Sequence, residues 1–133
     1  MAVDVKAVVK QVSGSTSEGS VRSHTVRCDR PEAKGGSDGG AMGGELFLIG
    51  LGGCFMSNLL AAIQSRESQI SEPTVAINGQ LDGTPPRFTE IELEVSALVQ
   101  DKEELEKLVT IAERGCIVAN TIKDSVSLNI RVS

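Results

Sequence analysis

The sequence predicts an α+β fold in a single domain over residues 1–133. Segments that alternate polar and apolar residues lie towards both ends, a wholly apolar helical stretch runs from 46 to 63, and an amphipathic helical repeat follows Asp101. At 133 residues with 40% hydrophobic content, the chain is long enough for one core and too short to need two.

Residues 2–12 alternate, with Val3, Val5 and Ala7 on one face and Asp4 and Lys6 on the other, which predicts a first strand. A Ser- and Gly-rich turn leads to 20–28, where Val21, Ser23, Thr25 and Arg27 alternate with Arg22, His24, Val26 and Cys28. This predicts a second strand, paired with the first as a hairpin, with Cys28 on a sheet surface. The segment 35–44 holds six glycines in ten residues and predicts a flexible loop leading to the next helix.

From Leu46 to Ile63 only Ser57 and Asn58 are polar, a length at the low edge of a membrane span. Gly50, Gly52 and Gly53 weaken that reading, and the flanking strands and helices need this helix as their core, so no membrane is expected. A helix apolar on all sides is buried on all sides. One sheet covers only one side of it, so a second copy of the chain is expected to cover the other.

Pro73 opens a strand over 74–81, Asp-Gly-Thr-Pro-Pro turns the chain, and 88–99 returns with Ile91, Leu93, Val95 and Ala97 on one face. Asp101 followed by Glu104 is a helix-start signature, and Leu105, Leu108, Val109 and Ala112 form the apolar stripe of that helix, ended by Gly115. A short helical turn over 117–122 and a last strand over 125–132 complete the chain.

The charge balance excludes some partners. Eighteen acidic against thirteen basic residues give a net charge of −5, and no basic run could track a line of phosphates, so no nucleic acid is expected. Met1 opens a polar stretch without a basic-then-apolar leader, which points to the cytoplasm and reduced thiols. With one histidine and no Cys-x-x-Cys, neither a metal nor another cofactor is expected.

What remains for chemistry is sulfur. Cys54 lies in Gly-Leu-Gly-Gly-Cys-Phe and Cys116 in Arg-Gly-Cys-Ile-Val-Ala-Asn-Thr. Free cysteine is often only a small buried hydrophobe, and this reading stands for Cys28 and remains open for Cys54. Cys116 follows Gly115 at the start of a helical turn, whose N–H groups favour a thiolate there.

The segment Glu-Leu-Phe-Leu-Ile-Gly-Leu-Gly-Gly-Cys-Phe (45–55) resembles the cysteine helix of the OsmC/Ohr family, the osmotically inducible and organic-hydroperoxide-resistance proteins. Cys-Ile-Val-Ala-Asn-Thr (116–121) resembles that family's Cys-Pro-Val-Ser-Asn-Thr, and the separation of 62 positions, Arg-Cys-Asp-Arg-Pro (27–31) and the glycine-rich loop follow the family's order. The resemblance implies antiparallel sheets packed around a long buried central helix, in an intertwined homodimer with its active site at the subunit interface. It implies that Cys54 reduces a small-molecule hydroperoxide, that Cys116 resolves the product as a disulfide, and that an external dithiol reductant resets the pair. Apolar neighbours (Leu46, Phe47, Leu51, Phe55) would favour organic over hydrogen peroxide.

The chain departs from the family pattern at three places. Gly44 stands where the hydroperoxide-resistance branch has a glutamate, leaving Glu45, one position on, as the candidate to orient a base or cation. Ser13, Gly14 and Ser15 occupy the stretch where that branch has an arginine. Ile117 replaces the proline after the second cysteine. Two other readings therefore stand beside the peroxidase: a non-catalytic redox sensor or small-molecule-binding dimer, and a structural core with inert thiols.

Overall fold

The computed structural model describes all 133 residues, which gather into two compact units, Met1–Phe47 and Leu48–Ser133. In the first, β1 (Val8–Ser13), β2 (Thr16–Val21) and β3 (His24–Cys28) form an antiparallel sheet in that order. The sequence predicts two strands here, and the structure has three. Val21 pairs with His24 across a two-residue turn in which Arg22 takes a left-handed φ of 54°. Partners in an antiparallel pair share a face, so Val21 lies with His24, Val26 and Cys28 rather than with Ser23, Thr25 and Arg27. Residues 2–7 lie outside the sheet, with Val3 and Val5 exposed.

The glycine-rich segment is held to its own unit rather than left without structure. After a 3-10 turn at Glu32–Lys34, Asp38 donates its N–H to the Arg30 carbonyl at 3.0 Å and Asp29 donates its own to Ala41 at 3.0 Å. A Cβ at Gly36 would fall 2.0 Å from the Arg30 oxygen, and one at Gly40 would fall 2.5 Å from that of Arg27. Glycine is required at both because two backbones meet.

Helix α1 (Gly43–Ser65) begins at the end of the first unit and runs into the second. By length and composition it could cross a membrane. The second unit holds β4 (Ser71–Asp82), β5 (Arg87–Leu98), α2 (Lys102–Gly115), α3 (Ile117–Ile122) and β6 (Ser127–Val132). Strands β4 and β5 form the expected hairpin, but β6 runs parallel to β5, so this sheet is mixed rather than antiparallel. The two helices between β5 and β6 provide the crossover that a parallel pair requires.

The core of this unit is built from three stripes, of which the sequence marks those of β5 and α2. Leu51, Phe55, Leu59 and Ala62 come from α1, Ile91, Leu93 and Val95 from β5, and Leu105, Leu108, Val109 and Ala112 from α2. Burying each of the large side chains stabilises the fold by roughly 1.5–3 kcal/mol. Asp101 caps α2 as expected, accepting from the Glu103 N–H at 3.0 Å, while Glu104 accepts from the Ser68 hydroxyl at 2.5 Å instead of closing a capping box. Within one chain α1 is covered on one side, as the sequence leads one to expect of a domain this small. Only one stripe of α1 is enclosed, and Ile49 and Leu60 are 61% and 48% exposed, because the sheet and α2 reach a single side of it.

Candidate functional site

Cys54 stands on α1 beside the core stripe, half-buried against the hydrophobic cluster. One turn further, Asn58 meets the junction of α2 and α3: a Cβ at Gly115 would lie 3.6 Å from the Asn58 Oδ1. The segment that carries Cys116 is thus laid against the stretch of α1 that carries Cys54. The α2 stripe fixes this approach by locking that helix into the core.

Cys116 is wholly buried and is held at both ends. Its N–H donates to the Glu113 carbonyl at 3.1 Å, its carbonyl accepts from Asn120 N–H at 2.9 Å, and the Asn120 side-chain amide donates to the Arg114 carbonyl at 3.1 Å. Its backbone is extended (φ −77°, ψ 110°), and its Sγ accepts from the Ala119 N–H at 3.5 Å. Cys116 is therefore the N-cap of α3, with sulfur in the place that a hydroxyl or carboxylate oxygen usually takes.

The remaining donors of that helix start serve the other cysteine. Burial opposes ionisation of the Cys54 thiol, but hydrogen bonds from the Val118 N–H, the Cys116 thiol and the Ile117 N–H outweigh it, so its pKa lies below that of an ordinary thiol. Cys116 goes the other way. Burial pushes its thiol up, the Ala119 and Val118 N–H groups offset only part of that, and the neighbouring Cys54 sulfur raises it further. The first proton to leave the pair comes from Cys54, and the Cys116 S–H stabilises the anion. This reverses the sequence expectation that the helical turn after Gly115 would ionise Cys116. That turn does supply N–H groups, but those of Ile117 and Val118 lower the pKa of Cys54, far back in the sequence.

The structure brings Cys54 and Cys116 together, both as free thiols. Glu45 belongs to the first unit, is exposed, and accepts from the Met42 N–H at 2.8 Å, so its carboxylate is engaged at the start of α1. Leu51 and Phe55, expected among the apolar neighbours of a substrate, are completely enclosed in the core and offer it no surface. Cys28 stays half-buried on β3. No group of three or more His, Cys, Asp or Glu side chains is placed to hold a metal ion. The sequence did not single out Val118 and marked Ile117 only as the residue in place of a proline; both act on Cys54 through main-chain N–H groups, which leave no side-chain signature.

A family model described as "OsmC-like protein" matches residues 35–131. No curated protein matches the sequence significantly. Among solved structures, the OsmC-like protein of Mycoplasma pneumoniae superposes with a TM-score of 0.85 at 16% identity, covering 100% of this chain and 98% of that one. An organic hydroperoxide resistance protein from Elizabethkingia anophelis gives 0.77 at 22%, covering 100% and 97%. One from Legionella pneumophila, described as an organic hydroperoxide resistance protein OsmC, gives 0.74 at 21%, covering 100% and 98%. At these identities the likeness is one of fold.

Proposed function

For a chain that belongs to the OsmC-like family, we propose a thiol peroxidase in which Cys54 is the attacking thiolate and Cys116 the resolving thiol. The observation that carries this reading is the asymmetry of the pair: two adjacent free cysteines, one with its pKa lowered by N–H and S–H donors and the other with its pKa raised by burial. A thiol that ionises more readily than its partner, beside a thiol held in reserve, is the arrangement that two-step peroxide reduction needs.

In the first step the Cys54 thiolate attacks the terminal oxygen of a hydroperoxide. The O–O bond breaks, the alkoxide leaves with a proton as an alcohol, and Cys54 becomes a sulfenic acid. In the second, the Cys116 sulfur attacks the Cys54 sulfur, the S–O bond breaks, water leaves and a disulfide forms. An external dithiol returns two electrons and two protons to complete the cycle. The substrate class, organic hydroperoxides, is carried over from the structural relatives. A homodimer belongs to the same reading and is supported by the exposed Ile49 and Leu60 on α1.

Titration of the reduced protein with cumene hydroperoxide and with hydrogen peroxide, with thiol counting and peptide mapping, tests it. Rapid loss of two thiols to a Cys54–Cys116 disulfide is expected, faster with the organic peroxide and abolished in Cys54→Ser. Survival of both thiols in excess peroxide would end the catalytic reading and leave a binding or sensing role. Sedimentation tests the dimer separately.

A further inference from the structure

We infer that the hollow between α2, α3 and β6 is a binding site for a small acidic amino acid, and that its occupant holds shut the α2–α3 corner that encloses Cys116. The site stands apart from the thiol-peroxidase reading, and only its consequence for catalysis rests on that reading.

The hollow has a volume of about 250 Å³. That lies below the roughly 300–1,000 Å³ of sites for drug-sized ligands and suits a molecule of amino-acid size. Its apolar lining comes from Ala119, which is almost wholly enclosed, and from half-buried Leu128. Three charged groups complete the wall: the Arg114 guanidinium, the Lys123 ammonium and the Glu113 carboxylate. Their signs would let them pair, yet no nitrogen of Arg114 or Lys123 lies within 4.0 Å of a Glu113 oxygen, and the ion pairs of this chain are elsewhere, at Arg27 and Arg131. Two cations and a carboxylate thus line one hollow without satisfying one another.

The neutral groups of the wall decide what fits. The Thr110 hydroxyl donates its one proton to the Glu106 carbonyl at 3.1 Å, so its oxygen is left as an acceptor. The Asn120 amide nitrogen donates to the Arg114 carbonyl at 3.1 Å, and its Oδ1 is a second acceptor. With the Glu113 carboxylate these make three acceptors, as many as the N–H donors of an ammonium group. The two cations match two carboxylates, one of them held bidentately by the Arg114 guanidinium. A short carbon chain that bears one ammonium and two carboxylates is an acidic amino acid.

The same wall residues clamp the second cysteine. The Cys116 N–H donates to the Glu113 carbonyl at 3.1 Å, and its carbonyl accepts from the Asn120 N–H at 2.9 Å. Cys116 has no exposed surface, so a reagent or a partner thiol reaches it only when this corner opens. A ligand that bridges Glu113 and Arg114 on α2 to Asn120 and Lys123 on α3 binds the closed corner and not the open one, and so lowers the open population. Within the peroxidase reading, the ligand then acts on the Cys116 half of the cycle and not on the attack by Cys54.

Calorimetric titration of the reduced protein with L-glutamate, with glutarate, which has the two carboxylates and no ammonium, and with inorganic phosphate tests the site. Glutamate is expected to bind on the order of tenfold more tightly than either of the others, and Arg114→Gln or Lys123→Gln to weaken it by a similar factor. Glu113→Gln is expected to remove the advantage of glutamate over glutarate. Arg114 and Lys123 are exposed, so neither change disturbs the core. The clamp is read by iodoacetamide labelling with peptide mapping. Glutamate at about ten times its Kd is expected to slow modification of Cys116 about elevenfold and to leave that of Cys54 unchanged, and Arg114→Gln to lose the protection at the same concentration. No binding at about 10 mM glutamate, or glutarate bound as tightly, would overturn the site, and binding that leaves Cys116 unprotected would overturn the clamp. Peroxide consumption in the same samples keeps the two levels apart: a chain that binds glutamate and shields Cys116 but consumes no peroxide upholds the inference and removes the peroxidase reading alone.

Discussion

The two units of this chain are stabilised by opposite means. Every member of the buried hydrophobic cluster lies between residues 51 and 119, in the second unit. In the first unit the only buried side chains are Thr16 and Asp29, and all six residues of β1 are exposed. Asp29 stands where a core would be. Its carboxylate accepts from the Thr16 hydroxyl at 2.7 Å, from the Arg30 and Gly39 N–H groups at 2.7 and 2.9 Å, and from Ser37 N–H at 3.3 Å. One acidic side chain thus gathers β2, the end of β3 and the glycine-rich segment. Where a unit has too little apolar surface to bury, a carboxylate that accepts several hydrogen bonds can organise the backbone instead.

The difference has consequences of different size. The largest falls on the apolar unit: Phe55→Ala, at a wholly enclosed site, is expected to cost about 3–5 kcal/mol in urea denaturation. A cost below about 1 kcal/mol would mean that the cluster is not the main support of its unit.

The next falls on the polar unit and is a matter of pH. The Thr16 hydroxyl and then the Gly39 N–H hold the Asp29 carboxyl well below the usual carboxylate range, against a smaller opposing effect of burial. A carboxylate whose pKa is depressed by folding adds stability that is complete above its unfolded value near 3.9 and is lost as pH falls through its folded value. Hydrogen exchange at the Arg30 and Gly39 amides is therefore expected to stay slow down to about pH 4 and to lose protection below it, after correction for intrinsic rates. Asp29→Asn is expected to speed exchange at those amides on the order of tenfold at neutral pH and to leave amides of α2 unchanged. Equal loosening of both regions would erase the contrast between the units.

The smallest effect sharpens the comparison from the exposed side. Val26, 51% exposed on β3, is expected to tolerate Val26→Thr within about 0.5 kcal/mol. A larger, concentration-dependent loss would show that a second copy of the chain covers this sheet, and that the unit gains its apolar burial only on assembly.

By itself the sequence determined the parts whose signals are local. The apolar stripes of β5 and α2, the Asp101 cap, the long helix at 46–63 and the two cysteine segments were all legible, because periodicity and capping depend on residues a few positions apart. Thr16–Val21 was not, since Thr-Ser-Glu-Gly-Ser-Val lacks a run of branched or aromatic residues and becomes a strand only through its partners. The direction of β6 was hidden for the same reason, as a strand's neighbours are not written in its own residues.

The site divides along the same line. Its sulfurs were named in the sequence, but which of them ionises first was settled by the tertiary structure. The N–H groups at the start of α3 are provided by local sequence, whereas the sulfur they serve is chosen by the packing of Gly115 against Asn58 and by the depth at which Cys116 is enclosed. Asp29 shows the same limit: one acid in Arg-Cys-Asp-Arg-Pro becomes the hub of a unit because Thr16, Ser37 and Gly39 converge on it from other segments. A thiol's or carboxyl's proton affinity is set by the donors and low-dielectric surroundings assembled around it, and those are brought together only when the chain has folded.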